Sequence, residues 1–313
     1  MIIAVDHGNK QMKTAHHIFT SGLLESEVKP PFGEDIIEYQ GKFYALSEKR
    51  MSYMRDKTED NRFFILTLFA IAFEIEAAHA YTKGEVTDVT LLAGLPPAHY
   101  GALYIRFEKY FTRKGEINNF TFRGRPYSIR ISKTITYPQA YAAAMPIYAT
   151  LAGLPKVTVI DIGGFTADYL QINKGKPDLA MCDSLDYGVI RLYSTIQSKV
   201  NSAKAIRLDE SEIDAIIQSR EANVDKQISQ IVVQSAQSFV SNFLSLLGER
   251  MIELKSGKTI FVGGGSVLLR KQTEASQKVQ NMMFVDDIAA NVKGYELLYK
   301  ASLIGGEGHG QEE

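Results

Sequence analysis

The chain has 313 residues, 45% of them hydrophobic, and a net charge of −1. This size allows a large buried core and favours two domains, and the balanced charge gives no general electrostatic reason to bind nucleic acid or an anionic membrane directly. A single cysteine excludes an internal disulfide framework, and the first residues lack a basic region and a cleavage site, so we expect a cytoplasmic protein.

The chain opens with an apolar strand over residues 1–5, a polar turn, and a second β segment over residues 13–20. The turn carries Asp6, Gly8, Asn9 and Lys10. A glycine lets backbone N–H groups approach phosphate oxygens, and an Asp at a strand end can orient a hydrated divalent cation. Lys13 can reach Asp6 across the ribbon and join the same phosphate site. The alternative is that Lys13 is a solvated strand lysine.

The remainder of the first half alternates between strands and helices. The pattern predicts a hairpin over 35–46, a buried helix over 60–81, a strand over 86–93, a helix over 98–112 and a second hairpin over 116–135.

A further helix is predicted over residues 139–151, because Pro138 suits a first turn and Gly153 suits a helix end. Gln139 would stand at the start of this helix. Its neutral amide has a donor and an acceptor with which to hold a water molecule. The alternative is an ordinary helix residue that faces solvent.

A second strand from Val157 ends in Asp161, which is followed by Gly163, Gly164, Phe165 and Thr166. Two adjacent glycines after a buried strand seldom serve packing alone, so this segment predicts a second phosphate-binding corner. Two such corners, about half a chain length apart, indicate a two-lobed nucleotide clamp.

The second half continues with a hairpin, several helices and one further strand. The predicted elements are a hairpin around 174–177, helices over 186–200, 209–220 and 222–254, a strand over 259–262 and a last helix over 288–304. The tail over 305–313 is too rich in glycine and polar residues to pack, so we expect it to be flexible.

A glycine triplet follows the strand over 259–262. Its residues, with the serine that opens a short helix, are Gly263, Gly264, Gly265 and Ser266. Flexible backbone here would let a base or ribose lie against the main chain. The triplet is not a Rossmann fingerprint, since Leu268 stands where the third glycine belongs, and Ile252 occupies the first glycine position of a P-loop.

Taken together, these motifs resemble the actin-type ATPase superfamily, most closely the plasmid-segregation actins of the ParM/StbA type. Five segments carry the resemblance in chain order: two phosphate motifs, two connecting motifs and an adenosine motif. They are residues 6–13 (DHGNKQMK), 137–140 (YPQA), 161–168 (DIGGFTAD), 261–266 (FVGGGS) and 291–295 (NVKGY).

The resemblance implies an α/β fold of the actin-like, duplicated ribonuclease H-like class, with two domains and a nucleotide cleft between them. Domain I would comprise residues 1–154 with 291–304, and domain II residues 155–290.

The resemblance also implies an ATPase whose substrate is ATP, or GTP, with Mg²⁺. Asp6 and Asp161 would hold the waters of the metal ion, and Gln139 would position the attacking water, so these three would be the catalytic residues. The residues implied in nucleotide binding are Gly8, Asn9, Lys10, Lys13, Gly163, Gly164, Phe165, Thr166, Gly263, Gly264, Gly265 and Ser266.

As partners, the resemblance implies further copies of this chain in a dynamic filament, and a DNA-binding adaptor that links the filament to plasmid DNA for segregation. Direct contact with nucleic acid or with a membrane is not expected.

Other functions of the same superfamily stay open. One alternative is a filament that serves cell shape or organelle positioning. Another is a small-molecule kinase with Asp168 or Asp186 as the base, although neither of these residues lies in a recognisable sugar-binding motif. A nucleotide-binding structural subunit without hydrolysis is a further alternative if Gln139 does not activate water, and some segregation relatives carry an acidic residue at this position.

Overall fold

The computed structural model describes residues 1–306 and divides into two compact units. Unit 1 contains Met1–Pro146 and the chain from Asn291 onward, and unit 2 contains Ile147–Ala290. The last helix continues to Gly306, and the rest of the predicted tail lies outside the described residues.

The first part of unit 1 contains β1 (Ile2–Ala4), β2 (Asp6–His7), β3 (Gln11–Lys13), β4 (Ile18–Thr20), β5 (Leu23–Ser26), β6 (Ile36–Tyr39), β7 (Lys42–Leu46), α1 (Arg62–Ala77), β8 (Val86–Leu95), α2 (Pro97–Thr112), β9 (Ile117–Phe122), β10 (Arg125–Pro138) and α3 (Tyr141–Ala144). Short 3₁₀ turns follow α2 and α3, at Arg113–Gly115 and Met145–Ile147.

Unit 2 contains α4 (Tyr148–Leu151), β11 (Lys156–Ile162), β12 (Ala167–Asn173), β13 (Lys176–Leu185), α5 (Val189–Lys204), α6 (Glu210–Ile217), α7 (Lys226–Glu249), β14 (Lys258–Val262), α8 (Gly264–Leu268), α9 (Arg270–Ala275) and β15 (Met282–Phe284). The chain then forms α10 (Ala290–Gly306), which belongs to unit 1 from Asn291.

The same sheet arrangement occurs once in each unit. In unit 1 the antiparallel ribbon β2-β3-β4 directly follows β1, which pairs in parallel with β8, and β8 pairs in parallel with β10. In unit 2 the sheet order is β13-β12-β11-β14-β15, where β11 is antiparallel to β12 and parallel to β14. The duplicated α/β architecture expected from the two corners is therefore present.

Helix α1 forms the centre of unit 1. Every residue from Phe63 to Ile75 is buried, as expected for a helix that is apolar on nearly all sides. Its aromatic side chains pack edge-on against the sheet, for example Phe69 against Phe122 at 6.0 Å between ring centroids.

Helix α7 occupies the same central role in unit 2. Asp225 caps it by accepting a hydrogen bond from the Ile228 N–H at 2.9 Å, so the helix begins later than the predicted residue 222. Among residues 1–306, α7 is the one helix long and apolar enough to cross a membrane. Its apolar stripe, which includes Val232 and Phe243, packs in the core of unit 2, as in the core helix of a globular domain.

The predicted helix over 139–151 is wrong. Pro138 is the last residue of β10, where it pairs with Leu95, and Gln139 lies in a turn. The segment after it is split into α3, a 3₁₀ turn and α4, and Pro146 lies at the split because it has no N–H for a continuous helix.

The predicted strand over 13–20 is also two strands, since the N–H of Thr14 bonds the carbonyl of His17 at 2.8 Å and closes a turn between β3 and β4. Three elements of three to six residues, β5, β15 and α9, were not predicted because such short segments have no clear period.

Candidate functional site

The first corner is organised around the carboxylate of Asp6. The register of β2 and β3 places Asp6 opposite Lys13, and Lys13 Nζ donates to Asp6 Oδ2 at 3.1 Å. Gln139 Nε2 donates to Asp6 Oδ1 at 2.9 Å. The predicted approach of Lys13 to Asp6 is confirmed, and the alternative of a solvated Lys13 is wrong because only 14% of its side chain is exposed.

Asp6 is ionised at neutral pH although it is buried. Burial raises the pKa of its carboxyl, but the nearby ammonium groups of Lys13 and Lys57 and the hydrogen bond from Lys13 lower it further, so the pKa lies below the ordinary value of 3.8. The neighbouring His7 is neutral, because burial and the charge of Lys57 lower its pKa to about 3. The first corner therefore contains a fixed carboxylate between cationic groups.

A strained backbone turn holds Gln139 in place. The Gln139 N–H donates to the Leu95 carbonyl at 2.9 Å, and the Tyr141 N–H donates back to the Gln139 carbonyl at 2.6 Å across Ala140. Ala140 has φ +60° and ψ −52°, the rare γ-turn conformation with positive φ. Gln139 is 9% exposed, so the alternative of a solvent-facing helix residue is wrong.

The backbone of the first corner is tightly packed. A Cβ on Gly8 would lie 2.4 Å from the Gln11 carbonyl oxygen, so only glycine fits. The corner is also held by Lys57, a buried lysine whose ammonium donates to the His7 carbonyl. Lys57 was not identified from the sequence, because it lies in a loop without a motif and far along the chain from Lys13.

The second corner packs on the start of α5. The carbonyls of Gly163, Gly164 and Phe165 accept hydrogen bonds, at 2.7 to 3.1 Å, from the N–H groups of Val189, Ile190 and Gly188 respectively. The Gly163 N–H bonds the Thr166 carbonyl at 2.9 Å and closes the turn. These carbonyl oxygens therefore point toward α5, so the negative ends of their dipoles face away from the opposite side of the corner.

The glycine triplet is built against the second corner. A Cβ on Gly263 would lie 2.1 Å from Asp161 Oδ1, and its φ of +85° with ψ 160° is a conformation almost confined to glycine. A Cβ on Gly265 would lie 2.6 Å from the Ile162 carbonyl oxygen, whereas Gly264 has open space around it. Ser266 is fully buried. Unit 2 thus places the glycine triplet against Asp161. The order of the motifs along the sequence did not predict this contact.

Asp161 also faces Asp168 directly across the antiparallel pair β11 and β12, and both carboxylates are buried. Among residues 1–306, no group of three or more His, Cys, Asp and Glu side chains is arranged to hold a bare metal ion. Mg²⁺ keeps several of its waters in proteins, so it needs few direct ligands. Asp6 fits such a hydrated ion, because each of its oxygens accepts one hydrogen bond and has a further lone pair.

Two family models match adjacent parts of the chain. Residues 4–141 match the N-terminal domain of actin-like proteins, and residues 159–275 match the C-terminal region of the archaeal MreB-like actin homologue. No curated protein matches the sequence.

Solved structures of actin homologues share the fold over nearly the whole chain. The archaeal actin homologue Ta0583 is 18% identical with a TM-score of 0.73, covers 96% of this chain with 99% of its own, and has also been solved in complex with ADP. A non-polymerisable quadruple mutant of pCBH ParM is 17% identical with a TM-score of 0.74 and the same coverage. The Alp12 filament structure is 15% identical with a TM-score of 0.62, covering 96% of this chain and 98% of that one.

Proposed function

This chain belongs to the actin-like superfamily, and from that premise we propose that it binds and hydrolyses ATP, or GTP, and assembles with further copies of itself into a filament. The observation that carries the proposal is the buried carboxylate of Asp6, held between the ammonium of Lys13 and the amide of Gln139. A cation, a carboxylate and a water-binding amide at one glycine turn suit phosphoryl transfer, in which positioning and charge neutralisation supply most of the rate.

In this proposal the corners bind the phosphates. Lys13 contributes a positive charge, and backbone N–H groups around Gly8 and beyond Gly163 contribute donors, since the N–H of Gly163 itself closes the second turn. The segment from Gly263 to Ser266 packs on the nucleoside, where the open space beside Gly264 leaves the backbone accessible. The ADP complex of Ta0583 supports an adenine nucleotide as the ligand.

Gln139 is proposed to orient the attacking water. Its Nε2 is committed to Asp6, which leaves the amide oxygen to accept a hydrogen bond from a water. An amide is a weak base, so its contribution is alignment rather than proton abstraction. Asp6 and Asp161 would hold Mg²⁺ through its waters, and the ion would neutralise phosphate charge when bound.

The finer biological proposal is plasmid segregation. Hydrolysis would limit the lifetime of the filament, and a DNA-binding adaptor would join the filament to plasmid DNA. The filament of Alp12 and the ParM homologue support assembly as the general property. The net charge of −1 supports an adaptor rather than direct DNA binding.

Light scattering and phosphate release, measured together after ATP and Mg²⁺ are added, test this proposal. We expect scattering to rise and then to decay as phosphate is released. Asp161→Ala should suppress turnover, whereas Glu221→Ala, which removes an exposed carboxylate of the same unit, should not. Phosphorylation of a small molecule without any rise in scattering would favour the kinase alternative and reject the filament.

A further inference from the structure

Lys57 is a buried lysine that no motif of the chain includes. It lies in the loop between β7 and α1 and is 7% exposed. Its ammonium donates to the His7 carbonyl and lies 5.4 Å from the centroid of the Phe63 ring. Removing an ammonium from water costs much free energy unless it is paired, so a buried lysine in a surface loop needs a specific reason.

The loop that contains Lys57, together with Ser21, binds the first corner through hydrogen bonds. Four successive residues of the corner each have an acceptor that is bound by a donor from this loop or from Ser21. In chain order, the His7 carbonyl is bound by Lys57 Nζ, the Gly8 carbonyl by Ser21 Oγ at 2.5 Å, the Asn9 Oδ1 by the Met54 N–H at 3.4 Å, and the Lys10 carbonyl by the Ser21 N–H at 3.0 Å.

This arrangement matters for an anionic ligand. A carbonyl oxygen that points at a phosphate repels it, whereas a carbonyl that is bound to a donor within the protein does not. Lys57 is the only charged donor of the four, and it acts at the residue next to Asp6.

The electrostatics of the first corner also involve Lys57. Asp6 contributes one negative charge, and both Lys13 and Lys57 interact electrostatically with it. Lys57 therefore adds its positive potential to that of Lys13 at this corner, and the sum favours a phosphate oxygen in a partly buried environment where charges interact more strongly than in water.

We infer that Lys57 is a positioning residue for phosphate binding, which holds the His7 carbonyl away from the phosphates and supplies the second positive charge beside Asp6. The inference rests on the proposed nucleotide-binding function. Part of the affinity for phosphate would then come from the loop between β7 and α1, which contains none of the nucleotide motifs.

Calorimetric titration with ATP, ADP and adenosine, each with Mg²⁺, tests the inference in three variants. Lys57→Gln keeps a donor without the charge, Lys57→Arg keeps both, and Lys49→Gln alters an exposed lysine of the same loop. We expect Lys57→Gln to weaken ATP binding about tenfold or more, as for loss of a charged hydrogen-bond partner, with a smaller effect on ADP and none on adenosine. Lys57→Arg should retain most of the wild-type affinity for ATP, and Lys49→Gln should bind all three ligands as the wild type does.

Equal weakening of all three ligands by Lys57→Gln would show a general structural effect and overturn the inference, as would unchanged ATP binding. If Lys57→Gln does not fold, as checked by circular dichroism, Lys57→Arg decides the matter: retention of the wild-type preference for ATP over adenosine supports the inference, and its loss contradicts it. Absence of nucleotide binding by the wild-type protein would instead reject the proposed function itself.

Discussion

At the scale of single residues, we propose that binding and hydrolysis depend on different side chains of the first corner. Lys13 is proposed to contact the phosphates, whereas Gln139 is proposed to act on the attacking water alone. We therefore expect Gln139→Ala to lower kcat by about 10²-fold, the lower end of the range for a positioned proton-transfer or water-holding group. The dissociation constant for ATP should change little, because Lys13 and Asp6 keep their contact.

Single-turnover phosphate release and equilibrium ATP binding, measured on the same variant, separate these two effects. Gln234→Ala, which alters an exposed glutamine, is the matched control. A Gln139→Ala protein that hydrolyses ATP at the wild-type rate would remove Gln139 from the mechanism.

The glycine triplet allows an internal comparison. Gly263→Ala would force a Cβ against Asp161 and put Ala in a glycine-only conformation, so we expect a loss of about 1 to 3 kcal/mol in the free energy of unfolding and weaker nucleotide binding. A Cβ at position 264 would meet open space, so Gly264→Ala should leave the free energy of unfolding unchanged or slightly higher. Thermal unfolding without nucleotide measures both, and equal stability of the two variants would contradict the packing argument.

At the scale of elements, helix α1 anchors the ribbon that carries Lys13. Glu74 on α1 is buried and accepts hydrogen bonds from Thr14 Oγ1 at 2.5 Å and from the backbone N–H and ring Nδ1 of His16 at 3.1 and 2.7 Å. Burial raises the pKa of Glu74, but these hydrogen bonds lower it more, so it lies below 4.5. The stabilisation is therefore complete above pH 4.5 and is lost as pH falls through the lower value of the folded protein.

We expect Glu74→Gln to lower the free energy of local opening of the turn over residues 14–17 by about 1 to 3 kcal/mol at neutral pH, as for the loss of hydrogen bonds to a charged acceptor. The difference from wild type should narrow as pH falls below 4.5. Hydrogen exchange of the amides in this turn, compared between the two proteins at each pH, measures the effect. A difference that stays constant down to pH 3 would contradict the role of the Glu74 charge.

Elements with a strong local signal were predictable from the sequence. The helix predicted over 209–220 starts at a capping pair, Asp209 and Glu212, and the structure has both reciprocal hydrogen bonds at 2.8 Å. The first corner was predictable because Asp6 and Lys13 are close in the chain. The position of Gln139 was not, because its γ-turn results from the pairing of β10 with β8, which places it beside Asp6 from 133 residues away.

At the scale of the whole molecule, the chain is built from two units with a related sheet order, each with one corner. If both corners act on one nucleotide, removing either carboxylate should impair binding, and so should removing the metal ion. We expect EDTA, added in excess over Mg²⁺, to abolish ATP-dependent sedimentation and to allow it again when Mg²⁺ is restored. Sedimentation that persists in EDTA would show that assembly does not depend on the metal.

The proposed function requires that this chain bind a magnesium-bound purine triphosphate and that both glycine corners contribute to the binding. Calorimetric titration of the wild-type protein with ATP and with GTP in the presence of Mg²⁺ tests it most directly, with Asp6→Ala and Asp161→Ala titrated alongside. We expect saturable binding of at least one of the two nucleotides to one site per chain, weakened by either substitution. No uptake of either nucleotide, or binding that both substitutions leave unchanged, would contradict it.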